Sequence, residues 1–289
     1  MSRTQILVVG DSALRDRAAA LLERVEARAR PGAEFTRLEG AGSAEFFLKG
    51  GPVERERGRR LALERLLLRR PPPRLREYEC FRRVHAAGFA APEAVFAAAR
   101  VASRGVVPTR VLSQLLVTVR VPSAAGYEAL LSSRRAHERE AALDALAATL
   151  ARFHAAGFEH GDLFARNLVH HHRADGTLEP VLLDMWRGGR RHDPLRTKAA
   201  KLERTAARDL ALLLTDFVQH TDAAEQARFL ALYRTEFAAA VHDFDAQRFT
   251  RALAGGYARA VARLTQDPAR RHGRPLPPGD WRPPALDAT

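Results

Sequence analysis

Asp162, Asn167 and Asp184 are two carboxylates and one amide, met in that order along a short stretch of chain. The first and second lie in His160-Gly161-Asp162-Leu163-Phe164-Ala165-Arg166-Asn167-Leu168-Val169, and the third ends the apolar run Val181-Leu182-Leu183-Asp184. A polar turn at Ala174–Gly176 separates two apolar strands, so a hairpin would carry the leading and closing acids to one mouth. Phosphoryl transfer uses such a set. One carboxylate orients the attacking hydroxyl and accepts its proton, while an amide oxygen and a second carboxylate hold Mg²⁺ against the phosphates of ATP. In isolation His160, Asp162 and Asn167 would be read as side chains that cap and satisfy a buried turn. Two facts weigh against that: Asn167 is the only Asn in the chain, and Asp184 arrives independently.

The spacing H-x-D-x-x-x-x-N, followed by a hydrophobic strand and Asp, is that of a kinase catalytic loop. Such an enzyme also needs a Lys on a strand, reaching the α- and β-phosphates, and a Glu on the next helix to hold it. Only three of the 47 basic residues are Lys, and the first ends the apolar strand Glu45-Phe46-Phe47-Leu48-Lys49. A compact ammonium suits that position better than a forked guanidinium. Glu77 and Glu79 are the candidate partners. Glu77 shares a helical face with Phe81, Val84 and Gly88, whereas Glu79 fits a solvated surface position.

The elements that must position these residues follow from periodicity. Residues 4–10 are expected as a strand and 12–30 as an amphipathic helix, ended by Pro31-Gly32. Glu34–Glu39 and Ala44–Lys49 suggest a hairpin around Gly40-Ala41-Gly42. A basic helix follows from Glu54 to Arg70; Pro71-Pro72-Pro73 breaks it, and a second helix spans about 74–87 with Gly88 as its C-cap. Strands are expected within 93–120, a break at Pro122, and then a mostly helical half, including 138–156 ended by Gly157. The tail after Gln266 is rich in Pro and Arg and is expected to be extended or loosely attached. The resulting division is a strand–helix extension over 1–32, a small β-rich lobe over 33–119, a larger helical lobe over 120–265 and a tail over 266–289. The class is α+β.

Net charge is +13, which favours anionic partners: nucleotide phosphates, nucleic acid or an acidic membrane surface. The excess is almost all Arg, as a GC-rich genome would also produce. The basic run 54–70 has no interleaved aromatic residue on which bases could stack, so no specific nucleic-acid partner is expected. A single cysteine, Cys80, excludes a disulfide framework and a cysteine-based zinc site. The apolar run before Asp11 is too short for a signal peptide, and no segment reaches the roughly 18 apolar residues of a membrane span. A soluble, cytoplasmic protein is expected. His170-His171-His172 is a poor metal site, because consecutive side chains point apart. Gly10-Asp11-Ser12 resembles the first block of serine esterases, but the C-terminal half has no D-x-x-H to complete it. An N-cap at Asp11 or Ser12 explains the motif without chemistry.

Together these segments resemble the bacterial lipopolysaccharide core kinases, which phosphorylate heptose or Kdo sugars on a two-lobed, protein-kinase-like fold. The likeness runs from about Phe35 to Phe237. It is carried by Arg37–Lys49, the basic helix and Pro break of 55–73, Arg76-Glu77-Tyr78-Glu79-Cys80-Phe81 and Leu116-Val117-Thr118. Further on it includes Phe153–Leu163, Leu183-Asp184-Met185-Trp186-Arg187 and Arg208-Asp209-Leu210. The resemblance implies Asp162 as catalytic Asp, Asn167 and Asp184 as metal ligands, and Lys49 with Glu77 at the ATP phosphates. It also implies His160 and Asp209 as structural supports of the loop. The acceptor implied is an anionic glycolipid at the inner face of the cytoplasmic membrane. Arg187, Arg190, Arg191 and Arg196 would then offer it a docking face, or simply a solvated Arg-rich loop. Gly161 replaces the Arg of the H-R-D of protein kinases, which argues against control by a phosphorylated activation loop, and Met185-Trp186 replaces the Phe-Gly of D-F-G, which argues against the usual in/out flip of that segment. No Gly-rich phosphate-covering loop can be assigned. A protein or small-molecule kinase and an inactive nucleotide- or partner-binding protein of the same fold remain as alternatives.

Overall fold

The computed structural model describes residues 2–38, 44–121, 125–132, 136–190, 192–271, 273 and 275–283. The expected glycine turn at 40–42, the break at Pro122 and Arg191 lie outside the described residues. The chain divides into two compact units, Met1–Pro122 with Met185–Arg187, and Ser123–Asp184 with Gly188–Thr289.

The first unit runs β1 (Ser2–Gly10), α1 (Ser12–Arg15), α2 (Ala18–Glu26), β2 (Gly32–Thr36), β3 (Phe46–Pro52), α3 (Arg55–Leu68), α4 (Pro73–Ala86), β4 (Ala94–Arg104) and β5 (Val107–Val119). Its strands form one antiparallel sheet in the order β1-β4-β5-β3-β2. The helix expected over 12–30 is therefore two pieces, and it stops at Glu26. Within the 1–32 segment, β1 pairs along its whole length with β4, from Ser2↔Arg104 to Gly10↔Phe96. The helices of that segment supply Leu14, Ala18, Leu21, Leu22 and Val25 to a core shared with Phe46, Leu48, Phe96, Ala98, Leu115 and Val117. Those strand residues alternate, so the intervening ones turn to the other face. There Ala97, Ala99 and Leu116 are buried and α4 packs against β4 and β5. Lys49 follows the same rule. Leu48 faces the helices of the 1–32 segment, and Lys49, paired with Leu116, faces α4.

Local chemistry fixes both helices that follow β3. Pro73 starts α4, where its missing N–H costs nothing, and Gln114 Oε1 on β5 accepts from Arg74 N at 3.1 Å. α3 lies against β5 through Gly58, Leu61 and Ala62. A Cβ at Gly58 would meet the Val111 carbonyl at 2.4 Å, so the close approach requires glycine there.

The second unit runs β6 (Ala125–Gly126), α5 (Tyr127–Leu131), α6 (Ala136–Ala155), β7 (Phe158–Glu159), β8 (Leu168–His172), β9 (Leu178–Leu182), β10 (Gly189–Arg190), α7 (Ala199–Phe217), α8 (Ala223–Ala240) and α9 (Ala246–Gln266). Leu143, Leu146, Leu150 and Phe153 are buried along α6, as their spacing predicts. Gly157, at φ 81°, ends that helix. Buried Glu203 on α7 accepts from Asp245 N and Arg248, which locks α9 to α7. The tail expected to be loosely attached is instead anchored. Trp281 packs tilted against Tyr257 with ring centroids 4.6 Å apart and donates Nε1–H to Gln226 at 2.7 Å. Pro278 accepts from Tyr257 Oη at 2.9 Å. Two amphipathic aromatics supply the reason: each buries a ring and still satisfies its polar tip.

The first helices form one wall of the sheet's core, so Leu22→Ala, at a fully buried position, is expected to destabilise the protein by about 3 kcal/mol. Urea unfolding followed by circular dichroism measures this directly. A loss near zero would show that the 1–32 segment is not integral to the sheet.

Candidate active site

In the first unit, Lys49 Nζ lies 3.4 Å from Glu77 Oε1. Glu77 is only 1% exposed, and its second oxygen pairs with Arg74 from the preceding turn of α4. A buried carboxylate is costly unless paired, and two cations flank this one. Phe81 and Val84, on the face that the sequence assigned to Glu77, are buried beside it, while Glu79 is partly exposed. Trp186 lies under two guanidiniums, Arg187 at 4.5 Å and Arg76 at 5.9 Å from its ring centroid. Met185 beside it is fully buried.

In the second unit the loop between β7 and β8 carries the acids. Asp162 and Asn167 come together directly. The Asn167 amide nitrogen donates to Asp162 O at 2.8 Å and contacts Asp162 Oδ2 at 3.4 Å. This commits the nitrogen and leaves the amide oxygen as an acceptor. Asn167 O in turn accepts from Leu183 N at 2.9 Å, so the residue before Asp184 is pinned to the loop. Asp184 itself sits in the left-handed region at φ 53°, a conformation that asparagine and aspartate tolerate better than most residues. The donor set is therefore two carboxylates and an amide oxygen, all hard oxygen ligands of the kind a magnesium ion takes alongside nucleotide phosphates. Among the described residues there is no group of three or more His, Cys, Asp or Glu that could hold a metal by itself.

The loop is held from behind by α7. Asp209, fully buried, accepts from His160 N at 2.5 Å through one oxygen and from Gly161 N at 3.0 Å through the other. Burial would push its carboxyl up. The side chains of His154 and His160 and the His160 N–H outweigh that and hold it below the usual carboxylate value. His154 reaches Asp209 at 3.4 Å through Nε2 and meets the Tyr233 hydroxyl at 2.8 Å through Nδ1. Gly161 has φ 77°, where a side chain would be strained, which accounts for glycine where protein kinases have Arg. His160 is fully buried, and desolvation lowers its pKa despite the acids around it. The neutral ring accepts from Asp162 N through Nδ1 at 3.3 Å. A second acid on α7, Asp216, accepts from Ala165 N at 2.9 Å.

Two contributors were not found by reading motifs. Arg166 lies with Nη2 3.7 Å from Asp162 Oδ2 and its guanidinium 4.1 Å from the Phe164 ring centroid. The only available signal was its i,i+4 spacing from Asp162, which means little outside a helix. Asp216 gave none, because seven residues beyond Asp209 on a helix is simply the same face. Of the candidate docking arginines, Arg187 lies over the Trp186 ring, Arg190 belongs to β10, and exposed Arg196 pairs with Asp193 at 3.7 Å. Of the three histidines, His170 packs edge-on to Tyr127 and faces His172 at a ring-centroid distance of 6.5 Å, His172 meets Gly176 O at 3.2 Å, and His171 meets Glu179 at 2.8 Å.

Residues 60–234 match the family described as lipopolysaccharide kinase (Kdo/WaaP). A solved structure of WaaP in complex with acyl carrier protein is similar at a TM-score of 0.57 and 18% identity, covering 91% of this chain and 98% of that chain. That likeness bears on the fold and agrees with the kinase-like class expected from the sequence. The comparison with curated proteins gave no match.

Burial raises the Asp216 carboxyl to about 6, against opposing pulls from Ala165 N–H and Arg166. Its contribution to stability is thus full below the ordinary carboxylate range and is lost as pH rises through about 6. Asp216→Asn keeps an acceptor for Ala165 N and removes the ionisation. It is expected to gain up to about 3 kcal/mol over the wild type at pH 7.5, shrinking towards zero at pH 4. Urea unfolding at the two pH values tests the sign; equal differences at both would refute it.

Proposed function

The chain belongs to the lipopolysaccharide kinase (Kdo/WaaP) family, and from that premise we propose that it transfers the γ-phosphoryl group of ATP to a sugar hydroxyl, heptose or Kdo, of the lipopolysaccharide core. The observation that carries the reading is the Asp162–Asn167 contact on a loop fastened by Asp209. It places a carboxylate and an amide oxygen together without further rearrangement of that loop, as transfer by positioning and electrostatics demands.

In this reading Asp162 orients the acceptor hydroxyl and takes its proton as the oxygen attacks. Arg166 keeps that carboxylate in place and puts a positive charge beside the phosphoryl oxygens as their charge shifts. Asn167 and Asp184 hold Mg²⁺, whose role when bound is to neutralise the phosphate oxygens. Lys49, held by Glu77, reaches the α- and β-phosphates. His160 and Asp209 are positioning residues. The reading puts the reaction at the inner face of the cytoplasmic membrane, with an anionic glycolipid as acceptor and no specific nucleic acid as partner. An acyl carrier protein, which the similar WaaP holds in its complex, is a further partner to test by co-purification.

Purified protein should label dephosphorylated core oligosaccharide or intact lipopolysaccharide from radiolabelled ATP. Asp162→Ala is expected to reduce transfer at least 10³-fold while leaving nucleotide binding and melting temperature nearly unchanged. Arg166→Ala should lower kcat by roughly 10–100-fold with KM for ATP little altered, and Arg166→Lys should restore part of it. Lys49→Ala should instead weaken nucleotide binding as well. Absence of Asp162-dependent label on any glycolipid would overturn the acceptor assignment. Label on a protein or small molecule would move it to one of those acceptors. No label on anything, with nucleotide binding intact, would favour an inactive binding protein.

A further inference from the structure

The basic helix between β3 and α4 takes no part in the chemistry described above, yet it carries the largest run of exposed apolar side chains among the described residues. Leu63, Leu66, Leu67 and Leu68 of α3 are 53%, 47%, 68% and 56% exposed. The inner side of the helix is accounted for: Gly58, Leu61 and Ala62 are buried, with Leu61 packed among Val101 and Val111. On the outer side Leu63, Leu66 and Leu67 stand at i, i+3 and i+4, one contiguous face. The same spacing puts Arg59 and Arg60 a turn before Leu63, and Arg70 follows just past the helix end at Leu68; all three are exposed. Among the described residues none of these three guanidiniums has an ion-pair partner; the stripe's one carboxylate, Glu56, lies at its far end.

We propose that this outer face of α3 seats the protein on an anionic lipid bilayer, the leucines entering the headgroup–acyl boundary and the arginines meeting lipid phosphates. Three features select a bilayer over a protein. The apolar residues are all leucine, with no aromatic anchor of the kind that dominates protein interfaces. They are bracketed by arginines at both ends, the arrangement of helices that lie in the interface plane. The whole chain carries +13, so its field adds to the attraction. No helix among the described residues is long and apolar enough to cross a membrane, so contact through α3 would be peripheral. The inference is independent of which sugar is phosphorylated.

The test is co-sedimentation of the full chain with phosphatidylcholine vesicles and with vesicles containing 30% phosphatidylglycerol. The wild type should bind the anionic vesicles and bind the neutral ones at least tenfold more weakly, with binding to the former falling as salt is raised. Leu66→Ser/Leu67→Ser and Arg59→Glu/Arg60→Glu should each lower partitioning at least tenfold, the charge reversal by roughly 100-fold at low salt. Both should leave the circular dichroism, the melting temperature and phosphorylation of a water-soluble core oligosaccharide unchanged. Failure to bind anionic vesicles, or equal binding by wild type and both variants, would overturn the proposal. So would binding of an acidic protein through these residues without affinity for vesicles. Loss of transfer to the soluble acceptor in the wild type would instead strike the reading of the site, leaving docking untouched.

Discussion

The candidate loop of the second unit hangs on one carboxylate. Asp209 spends both oxygens on consecutive backbone N–H groups, those of His160 and Gly161, and does so where water does not reach. A buried charge there would be prohibitive without partners. It has them in the two N–H groups and in the neighbouring histidines, and they hold the carboxyl ionised below its usual range. The loop therefore leaves α7 in a fixed direction. Glycine at φ 77° turns it, and Asp162 emerges with its own N–H tied to His160. Asp216 repeats the grip two turns further along the same helix, on Ala165 N. The backbone of the loop is thus held from α7 at three N–H groups, those of His160, Gly161 and Ala165.

The first unit solves a simpler problem by similar means. A lone ammonium on a strand would wander with its four-carbon stem. Lys49 is confined because strand alternation points it at α4 and because Glu77, buried and shared with Arg74, has no better place to be. The residue order along α4 matters less than its anchoring. Gln114 caps its first turn from β5, so the helix that carries Glu77 and the strand that borders Lys49 move as one piece.

Much of this was legible in the chain. A unique Asn and a scarce Lys marked two of the polar positions, and helical spacing chose Glu77 over Glu79. The strands and helices around them followed from alternation, prolines and glycines. What escaped shares a cause: it depends on which distant elements meet. Asp216 looks like an ordinary acid on an amphipathic helix until the loop is seen resting on it, and Asp209 stands out only through the family resemblance. Arg166 has no meaning as a spacing, only as a guanidinium folded back towards Asp162. The Pro- and Arg-rich tail has the composition of a free end. Trp281 and Tyr257 overrule that composition because one pair of rings with satisfied tips outweighs the bias of the segment around them.

The edge strand β1 has a consequence for how the protein is made. Its partner is β4, from Phe96 to Arg104, so residues made before α2 are paired with residues made after α4. The intervening β2 and β3 can form their hairpin early, but β3 also needs β5. Until β4 has emerged the pairing edge of β1 has no native partner, and before β4 and β5 follow, α2 has only the β1 and β3 part of its core, with Phe46 and Leu48, to bury against. Long-range pairing of this kind slows folding and leaves sticky surface exposed during synthesis. The 1–32 segment, short as it is, thus ties the completion of the sheet to strands made much later.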